Sequence, residues 1–343
     1  MKNIIILFLL IVISNSVFAK KSIINIYIWG GEIPESVIQK FEKETGIQVN
    51  FSTYDNNETM YTKLKTSKSN IYDIILPSSY FVERMKIQGM LQHINHQQLP
   101  NLKNLDHHFL HHYYDFNNQY SVPITWGATG IFYNNTKINS PLNSWKNLWN
   151  KTWKNQLILL DDSREIFSIS LISLGYNPND KNPNHIKQAF KHLLKLIPNI
   201  KLFASDNIQS IIVDEDAIIG AVWNSDILKS KKENKHIKFY YPKEGFIVWI
   251  DCLAIPKNPP HIKEAYKFIN FILKPDISKQ ITLIEGLATT NYKSFISLPK
   301  SIKINSIIYP SNKILNRAYF QRDLGEKTLK LYNEYWQELK MSF

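Results

Sequence analysis

The chain of 343 residues carries a formal net charge of +12, with its basic residues spread along the sequence rather than massed in one segment. A chain of this length usually folds around more than one hydrophobic core, so two lobes are expected. The single cysteine, Cys252, excludes an internal disulfide, and its apolar surroundings indicate a small core residue. The densest basic segment, residues 229–238, is typical of a solvated loop or helix end, and no nucleic-acid partner is expected.

The first 19 residues are typical of a secretory signal peptide. MKNIIILFLLIVISNSVFA has one lysine, then an apolar core, then small residues at the cleavage positions. This apolar core is short for a membrane span, although a non-cleaved anchor is the alternative. We expect cleavage after Ala19, export to the periplasm and a mature chain of 324 residues (343 − 19).

The first part of the mature chain alternates strands with helices. Isoleucines at every second position of residues 23–29 predict a strand, and a helix is expected from Pro34 to Gly46. A strand at 47–54, a helix at 58–66 and a strand at 72–77 follow. This order predicts a largely parallel sheet with helices on both faces.

The same alternation returns later in the chain. We predict strands at residues 156–160, 201–204, 217–223, 237–242 and 246–256. We predict helices at residues 164–174, 261–273 and 326–340. There is no internal repeat and no linker rich in glycine and serine, so the chain is expected to cross between lobes more than once. A ligand is then expected in the cleft, at the carboxyl ends of the strands.

One acid stands inside a strand that is otherwise apolar. Residues 246–256, FIVWIDCLAIP, read as a strand covered on both faces, yet Asp251 lies in its middle. A buried carboxylate without a partner costs several kcal/mol or more. Its partner could be a buried lysine or arginine, or it could be a bound ligand, and the sequence leaves both open.

Other acids follow predicted strands, and aromatic residues accompany them. Asp162 and Glu165 fit a helix cap with its capping box, and Glu32 fits a solvated acid at a helix start. Trp29, Trp223, Trp249 and Tyr80 all lie at or near strand ends close to these acids. A single aromatic residue usually belongs to the core. Several aromatic residues beside carboxylates suit a binding site for an organic ammonium ion, because the rings cover its methylenes and the carboxylates accept its N–H bonds.

Signals for catalysis or metal binding are weak. The sequence has no nucleophile elbow, zinc-protease motif, P-loop or dinucleotide fingerprint. His107 with His111, and His108 with His112, have the spacing of a shared metal on a helix, but a solvated helix face explains them better. Carboxylates amid tryptophans would also suit a glycosidase, so an exported enzyme remains an alternative.

Several long segments resemble the periplasmic spermidine/putrescine-binding proteins of polyamine ABC transporters, over nearly the whole mature chain. The segments that carry the resemblance are FEKETGIQVNFSTYDNNETMYTKLKT, YDIILPSSYFVERM, WGATGIFYN, LLDDSREIF, VWN (222–224), YPKEGFIVWIDCLAIP and FINFILKPDISKQI. The resemblance implies an α/β, two-lobed type II periplasmic binding protein fold. Each lobe would be a mixed, mainly parallel sheet flanked by helices, and the chain would cross between lobes more than once.

The resemblance also implies lobe boundaries, crossings near Gly127 and Trp249, and a return near residue 297. After the signal peptide at 1–19, the N-terminal lobe would comprise residues 20–127 and 250–296, and the C-terminal lobe residues 128–249 and 297–343. A polyamine would bind in the cleft, the closed protein would dock on inner-membrane permease subunits as a monomer, and neither catalysis nor a cofactor is expected. A sensing role and another cation, such as another diamine, a basic amino acid or a metal, remain alternatives.

By match of motif, the resemblance assigns the binding residues. The amine-binding carboxylates would be Asp162, Glu165 and Asp251. The stacking aromatics would be Trp29, Trp223 and Trp249. The polar contacts would be Ser78, Tyr80, Ser205 and Gln321.

One end of this expected pocket departs from the family pattern. Where the family has a tryptophan, a hydroxyl, an acid and a tyrosine, this chain has Trp29, Gly30, Gly31 and Glu32. Glu32 could reach the same ammonium from one residue further on. Leu287 replaces an expected tyrosine, so the choice of polyamine is open.

Overall fold

The computed structural model describes residues 22–67 and 71–343, so the predicted signal peptide lies outside the described residues. The strands in this part of the chain are β1 (Ile23–Trp29), β2 (Gln48–Tyr54), β3 (Ile74–Ile75), β4 (Ser121–Asn134), β5 (Leu157–Leu160), β6 (Ile200–Ala204), β7 (Ile219–Trp223), β8 (Ile237–Tyr240), β9 (Phe246–Ala254), β10 (Ala288–Thr289) and β11 (Ala318–Phe320).

Helices alternate with these strands. They are α1 (Glu35–Thr45), α2 (Asn57–Thr66), α3 (Ser79–Ile87), α4 (Ser163–Ser173), α5 (Pro183–Leu194), α6 (Ile208–Val213), α7 (Asn224–Glu233), α8 (Ile262–Ile272), α9 (Pro275–Glu285), α10 (Tyr292–Ser297), α11 (Lys300–Lys303), α12 (Asn312–Leu315) and α13 (Glu326–Met341). Short 3-10 turns lie at His96–Gln98, Pro100–Asn104, His107–Phe109, Trp145–Trp149, Lys151–Trp153 and Ile197–Asn199. Across residues 22–67 and 71–343, none of the helices has the length and apolar character that crossing a membrane requires.

All of the described strands belong to one mixed sheet with the order β2-β1-β3-β9-β4-β7-β5-β6, while β8 and β10 pair with β4 and β11 pairs with β9. Parallel pairs join β1 to β2 and β3, and β5 to β6 and β7. The long strands β4 and β9 run antiparallel to each other between these two sets. We refer below to β1, β2 and β3 as the β1 group and to β5, β6 and β7 as the β5 group.

Strands β4 and β9 connect the two groups, because β9 pairs with β3 and β4 pairs with β7. Every residue of either strand is buried, which explains the continuous apolar run of β9. β4 pairs with β9 over Ser121–Ala128 and with β7 over Thr129–Tyr133, so it passes from one group to the other near Gly127. In the predicted division into lobes, the chain crosses between lobes along these two strands. That division stays a prediction.

Gly127 allows the close packing of these strands. A Cβ atom placed there would lie 2.2 Å from Cζ2 of Trp249 and 2.7 Å from Oδ1 of Asn224. Asn224 Oδ1 accepts a hydrogen bond from the backbone N–H of Ala128 at 3.1 Å. Glycine therefore leaves room for the Trp249 ring against β4.

Helices cover both faces through aromatic contacts. Over the β1 group, Phe41 of α1 contacts Phe268 of α8, with ring centroids 5.1 Å apart. Over the β5 group, Phe167 of α4 lies 4.8 Å from the ring of Tyr332 in α13. Helix α1 ends at Gly46 in the left-handed region, at φ 70°, as the sequence predicts.

Two sequence expectations differ from the structure. The strand expected over residues 72–77 is limited to β3. The prediction of a helix that carries the histidine pairs is wrong, because Asp106 caps a short turn and His111 has φ 60°. Asp106, His107 and His108 bring ligand atoms within 4.8 Å of one another, but both imidazoles are exposed.

Candidate binding pocket

A pocket lies between the two groups of strands and encloses about 670 Å³ of space out to its mouth. The carboxyl ends of β1, β3, β5, β6 and β7 all point to it, since residues that end or closely follow these strands line it. Every binding residue predicted from the sequence lines this pocket. They are Trp29, Glu32, Ser78, Tyr80, Asp162, Glu165, Ser205, Trp223, Trp249, Asp251 and Gln321.

The aromatic walls come from different strands. Trp29 ends β1 and Trp223 ends β7, and their ring centroids are 6.1 Å apart at an interplanar angle of 78°. Tyr54, at the end of β2, packs on Trp29 at 5.0 Å. Trp249 precedes Asp251 by two positions in β9, so both side chains are on the same face of the strand. The rings and the central carboxylate therefore face one space.

Asp251 is held by neutral groups. Its Oδ1 accepts a hydrogen bond of 2.6 Å from the Ser78 hydroxyl. Asn57 orients this region, since its Nδ2 donates to Ser78 Oγ at 3.1 Å and to the Tyr80 hydroxyl at 3.2 Å. No lysine or arginine among residues 22–67 and 71–343 forms an ion pair with Asp251, which is 4% exposed. The alternative in which a buried lysine or arginine is the partner of Asp251 is therefore wrong.

Glu32 is a second buried acid beside Asp251. Its Oε2 accepts a hydrogen bond of 2.9 Å from Thr125 Oγ1, and the residue is only 6% exposed, so the interpretation as a solvated acid is wrong. Thr125, which donates to Glu32, pairs with Asp251 across β4 and β9, so the two acids are neighbours. Burial, then the charge of Asp251, raises the pKa of Glu32 well above its usual range. Burial raises the pKa of Asp251 to about 7.

Asp162 and Glu165 stand at the start of α4. Asp162 Oδ1 accepts the backbone N–H of Glu165 at 3.0 Å, as expected of a cap. The reciprocal half of the capping box is not formed, because Glu165 Oε1 instead accepts from Gln321 Nε2 at 3.5 Å. Glu165 Oε2 is buried and has no hydrogen-bond partner within the described chain. Burial, then the charge of Asp162, raises the pKa of Glu165 to about 8.

The sequence did not point to five polar residues that also line the pocket, which are Asn57, Ser225, Asp226, Lys229 and Glu285. Lys229 Nζ lies 2.8 Å from Glu285 Oε2, and the lysine side chain is 24% exposed. The interpretation of residues 229–238 as solvated is therefore wrong for Lys229, because α7 turns this side chain toward α9. Burial raises the pKa of Asp226 to about 6.

The departures from the family pattern all lie at this pocket. Gly30, Gly31 and Leu287 line it, and Leu287 is buried. A Cβ at Gly30 would meet no atom within 4 Å, so the missing side chain leaves open space. Ser205 contributes a buried hydroxyl that has no hydrogen-bond partner within the described chain.

The charges of this pocket suit a cation. Burial raises the pKa of Glu32, Glu165 and Asp251, so each of these carboxylates is costly to ionise without a positive partner. Tryptophan rings surround the same space. Rings that cover methylenes and carboxylates that accept N–H bonds are the groups that bind organic ammonium ions.

Comparisons with known proteins agree with this chemistry. The family model for bacterial extracellular solute-binding proteins matches residues 36–303. The spermidine/putrescine-binding periplasmic protein 1 of Haemophilus influenzae is 41% identical over 324 residues, covering 94% of this chain and 90% of that protein. The spermidine/putrescine-binding periplasmic protein of Escherichia coli is 39% identical over 315 residues, covering 92% of this chain and 90% of that protein.

Solved structures share the fold. A protein of Listeria monocytogenes superposes with a TM-score of 0.91 at 36% identity, covering 94% of this chain and all of that one. The spermidine/putrescine ABC transporter substrate-binding protein of Streptococcus pneumoniae superposes with a TM-score of 0.78 at 31% identity, covering 94% and 99%. The expected type II periplasmic binding protein fold is confirmed. The chain belongs to the bacterial extracellular solute-binding protein family.

Proposed function

We propose that this protein binds a polyamine in the pocket and serves an ABC transporter as its substrate-binding component. The observation that carries this proposal is Asp251, a buried carboxylate that forms no ion pair with a lysine or arginine of the described chain and accepts a hydrogen bond from Ser78. A bound ammonium would supply the missing positive charge. Relatives named for spermidine and putrescine binding support the choice of ligand.

The predicted site residues take distinct parts in this proposal. Asp162, Glu165 and Asp251 pair with ammonium groups, and Glu32 assists at Asp251. The rings of Trp29, Trp223 and Trp249 cover the methylene chain. Ser78 and Gln321 donate to the carboxylates. Tyr80 and Ser205 offer polar contacts to the ligand.

Binding would be coupled to closure of two lobes. In this proposal residues 20–127 and 250–296 form one lobe, residues 128–249 and 297–343 form the other, and β4 and β9 serve as crossings. A ligand that contacts both lobes stabilises the closed form through contacts it lacks in the open form. Inner-membrane permease subunits would recognise the closed monomer.

The location and the absence of catalysis complete the proposal. We propose that residues 1–19 direct export to the periplasm and that cleavage follows Ala19, which fits the periplasmic relatives. The acids and tryptophans act in binding alone, with no cofactor and no nucleic acid, in keeping with a family of solute-binding proteins.

Titration calorimetry on residues 20–343, refolded to remove any bound ligand, tests the proposal against putrescine, spermidine and spermine. We expect tight binding of at least one polyamine, and a smaller radius of gyration in X-ray scattering once it is bound. Heat signals absent for all three polyamines would refute polyamine binding. An unchanged radius with a ligand that binds would refute closure alone.

A different organic cation is the second candidate ligand. Gly30, Gly31 and Leu287 alter one end of the pocket, and this is the observation that favours it. Competition of basic amino acids and other diamines against a bound polyamine in the same calorimeter separates the two candidates.

A further inference from the structure

The pocket contains a cation of its own. Lys229, on α7, lines the pocket and pairs with Glu285, the last residue of α9, at 2.8 Å. These helices are in contact, since a Cβ at Gly286 would lie 3.2 Å from the carbonyl oxygen of Ser225. The lysine ammonium is therefore fixed between two helices rather than free in solvent.

This ion pair stands at the end of the pocket where the family pattern is altered. A Cβ at Gly31 would lie 3.8 Å from Glu285 Oε2 and 3.9 Å from Lys229 Nζ. Gly31 precedes Glu32, which accepts a hydrogen bond from Thr125, the partner of Asp251 across β4 and β9. The Lys229–Glu285 pair therefore adjoins the Glu32–Asp251 pair directly.

The carboxylates of the pocket form three groups. Asp162 and Glu165 lie together at the start of α4. Asp251 and Glu32 form a second group, because Thr125 pairs with Asp251 across β4 and β9 and its Oγ1 donates to Glu32 Oε2. Glu285 and Asp226 form the third group around Lys229, which pairs with Glu285 and follows Asp226 by three residues on α7. Lys229 belongs to this third group alone.

We propose that Lys229 determines ligand specificity by occupying the third group, so that the pocket favours a diamine over a triamine. This inference rests on the proposed polyamine binding. The first two groups offer buried carboxylates that form no ion pair within the described residues, and the charge of Arg164 acts on the first group alone. At the third group, the ligand meets a resident ammonium that already has Glu285 as its partner, and like charges repel strongly where water is excluded.

Calorimetry with putrescine and spermidine on three proteins tests this inference. They are the unaltered protein, Lys229→Met, and the control Lys232→Met, which removes the same charge from an exposed position of α7. We expect the unaltered protein to bind putrescine at least as tightly as spermidine. Lys229→Met should raise the affinity for spermidine about tenfold or more and change that for putrescine by less than about threefold. Lys232→Met should change neither affinity.

The outcomes separate the two proposals. If the unaltered protein binds polyamines but Lys229→Met leaves the spermidine-to-putrescine ratio unchanged, the inference on Lys229 is wrong and polyamine binding stands. If no variant binds any polyamine, both fail. Should Lys229→Met not fold, Glu285→Gln decides the matter. It leaves the lysine unpaired, so it should weaken spermidine binding more than putrescine binding, and a gain in spermidine affinity would overturn the inference.

Discussion

Buried carboxylates in this protein are of two kinds, and their hydrogen bonds distinguish them. Asp73 is fully buried, and it accepts bonds from the backbone N–H groups of Asn25 at 2.8 Å and His261 at 2.6 Å. Its charge is satisfied within the fold. Within residues 22–67 and 71–343, neither Asp251 nor Glu165 accepts a backbone N–H bond through its side chain, and burial raises the pKa of both. An ammonium that arrives from outside stabilises the ionised form of this second kind, which burial disfavours.

At the residue scale, Asp251→Asn should weaken polyamine binding roughly ten- to a hundred-fold. A hydrogen bond to a charged group contributes about 1.5–3 kcal/mol net, and the amide keeps the shape while losing the charge. Calorimetry with the tightest-binding polyamine measures the change. Asp276→Asn is the matched control, because Asp276 is exposed and pairs with Lys40 at the surface. Unchanged affinity in Asp251→Asn would make Asp251 a purely structural acid.

At the scale of elements, helix α4 shows how one side chain serves both folding and binding. Asp162 caps the helix with one oxygen, which leaves its second oxygen free for a ligand. The buried start of α4 directs Glu165 into the same space, one turn along the helix. The cap thus fixes the spacing of two carboxylates at the pocket.

Two substitutions at Asp162 should separate these two contributions. Asp162→Asn keeps a capping oxygen, so the free energy of unfolding should change little while polyamine affinity falls about tenfold. Asp162→Ala loses the cap as well and should lower the unfolding free energy by about 1 kcal/mol. Urea unfolding and calorimetry on both variants measure the two effects. Full affinity in Asp162→Asn would show that Asp162 is a cap alone.

Elements with strong periodicity were predictable, and those set by distant contacts were not. In the sequence, Pro34 and Gly46 mark the two ends of helix α1, and the continuous apolar run of β9 indicates that this strand is buried. The turn after Asp106 is not the predicted helix, because a four-residue spacing of histidines also occurs without a helix. β3 is shorter than predicted because its pairing depends on β1 and β9.

Much of the candidate pocket was accessible from the sequence, since its acids and rings follow strand ends. The remaining residues were not, for physical reasons. Lys229 lies in a lysine-rich segment that resembles a solvated surface, and only the meeting of α7 and α9 pairs it with Glu285. Asn57 acts through hydrogen bonds to Ser78 and Tyr80, which are distant in sequence. Such partners depend on tertiary packing, which local patterns do not encode.

At the scale of the whole molecule, the raised pKa values link ligand, pH and stability. The pKa of Asp251 is about 7 and that of Glu165 about 8 in the folded chain, against ordinary values of 3.8 and 4.5. Between about pH 4 and pH 8 the folded state therefore holds protons that the unfolded state has lost. Stability is then highest at the acidic end of this window and falls as pH rises.

We expect the melting temperature of the ligand-free protein to fall between about pH 5 and pH 8, and a saturating polyamine to flatten or reverse that fall. The ammonium groups favour ionised carboxylates, so binding should also release protons, and affinity should rise over the same range. Scanning calorimetry at several pH values measures the first effect. The double variant Asp251→Asn, Glu165→Gln should show a smaller fall of the melting temperature with pH. An equal fall in this variant would mean that other titrating groups cause it.

The shared strands β4 and β9 also govern how the chain reaches its fold. β3 meets β4 through β9, which ends at Ala254, and β11, which pairs with β9, begins at Ala318. The two groups of strands are therefore not joined into one sheet until most of the polypeptide has been synthesised. Pairings between segments so far apart in sequence slow folding. We therefore expect the native state to form slowly, which leaves time for the export proposed above before folding is complete.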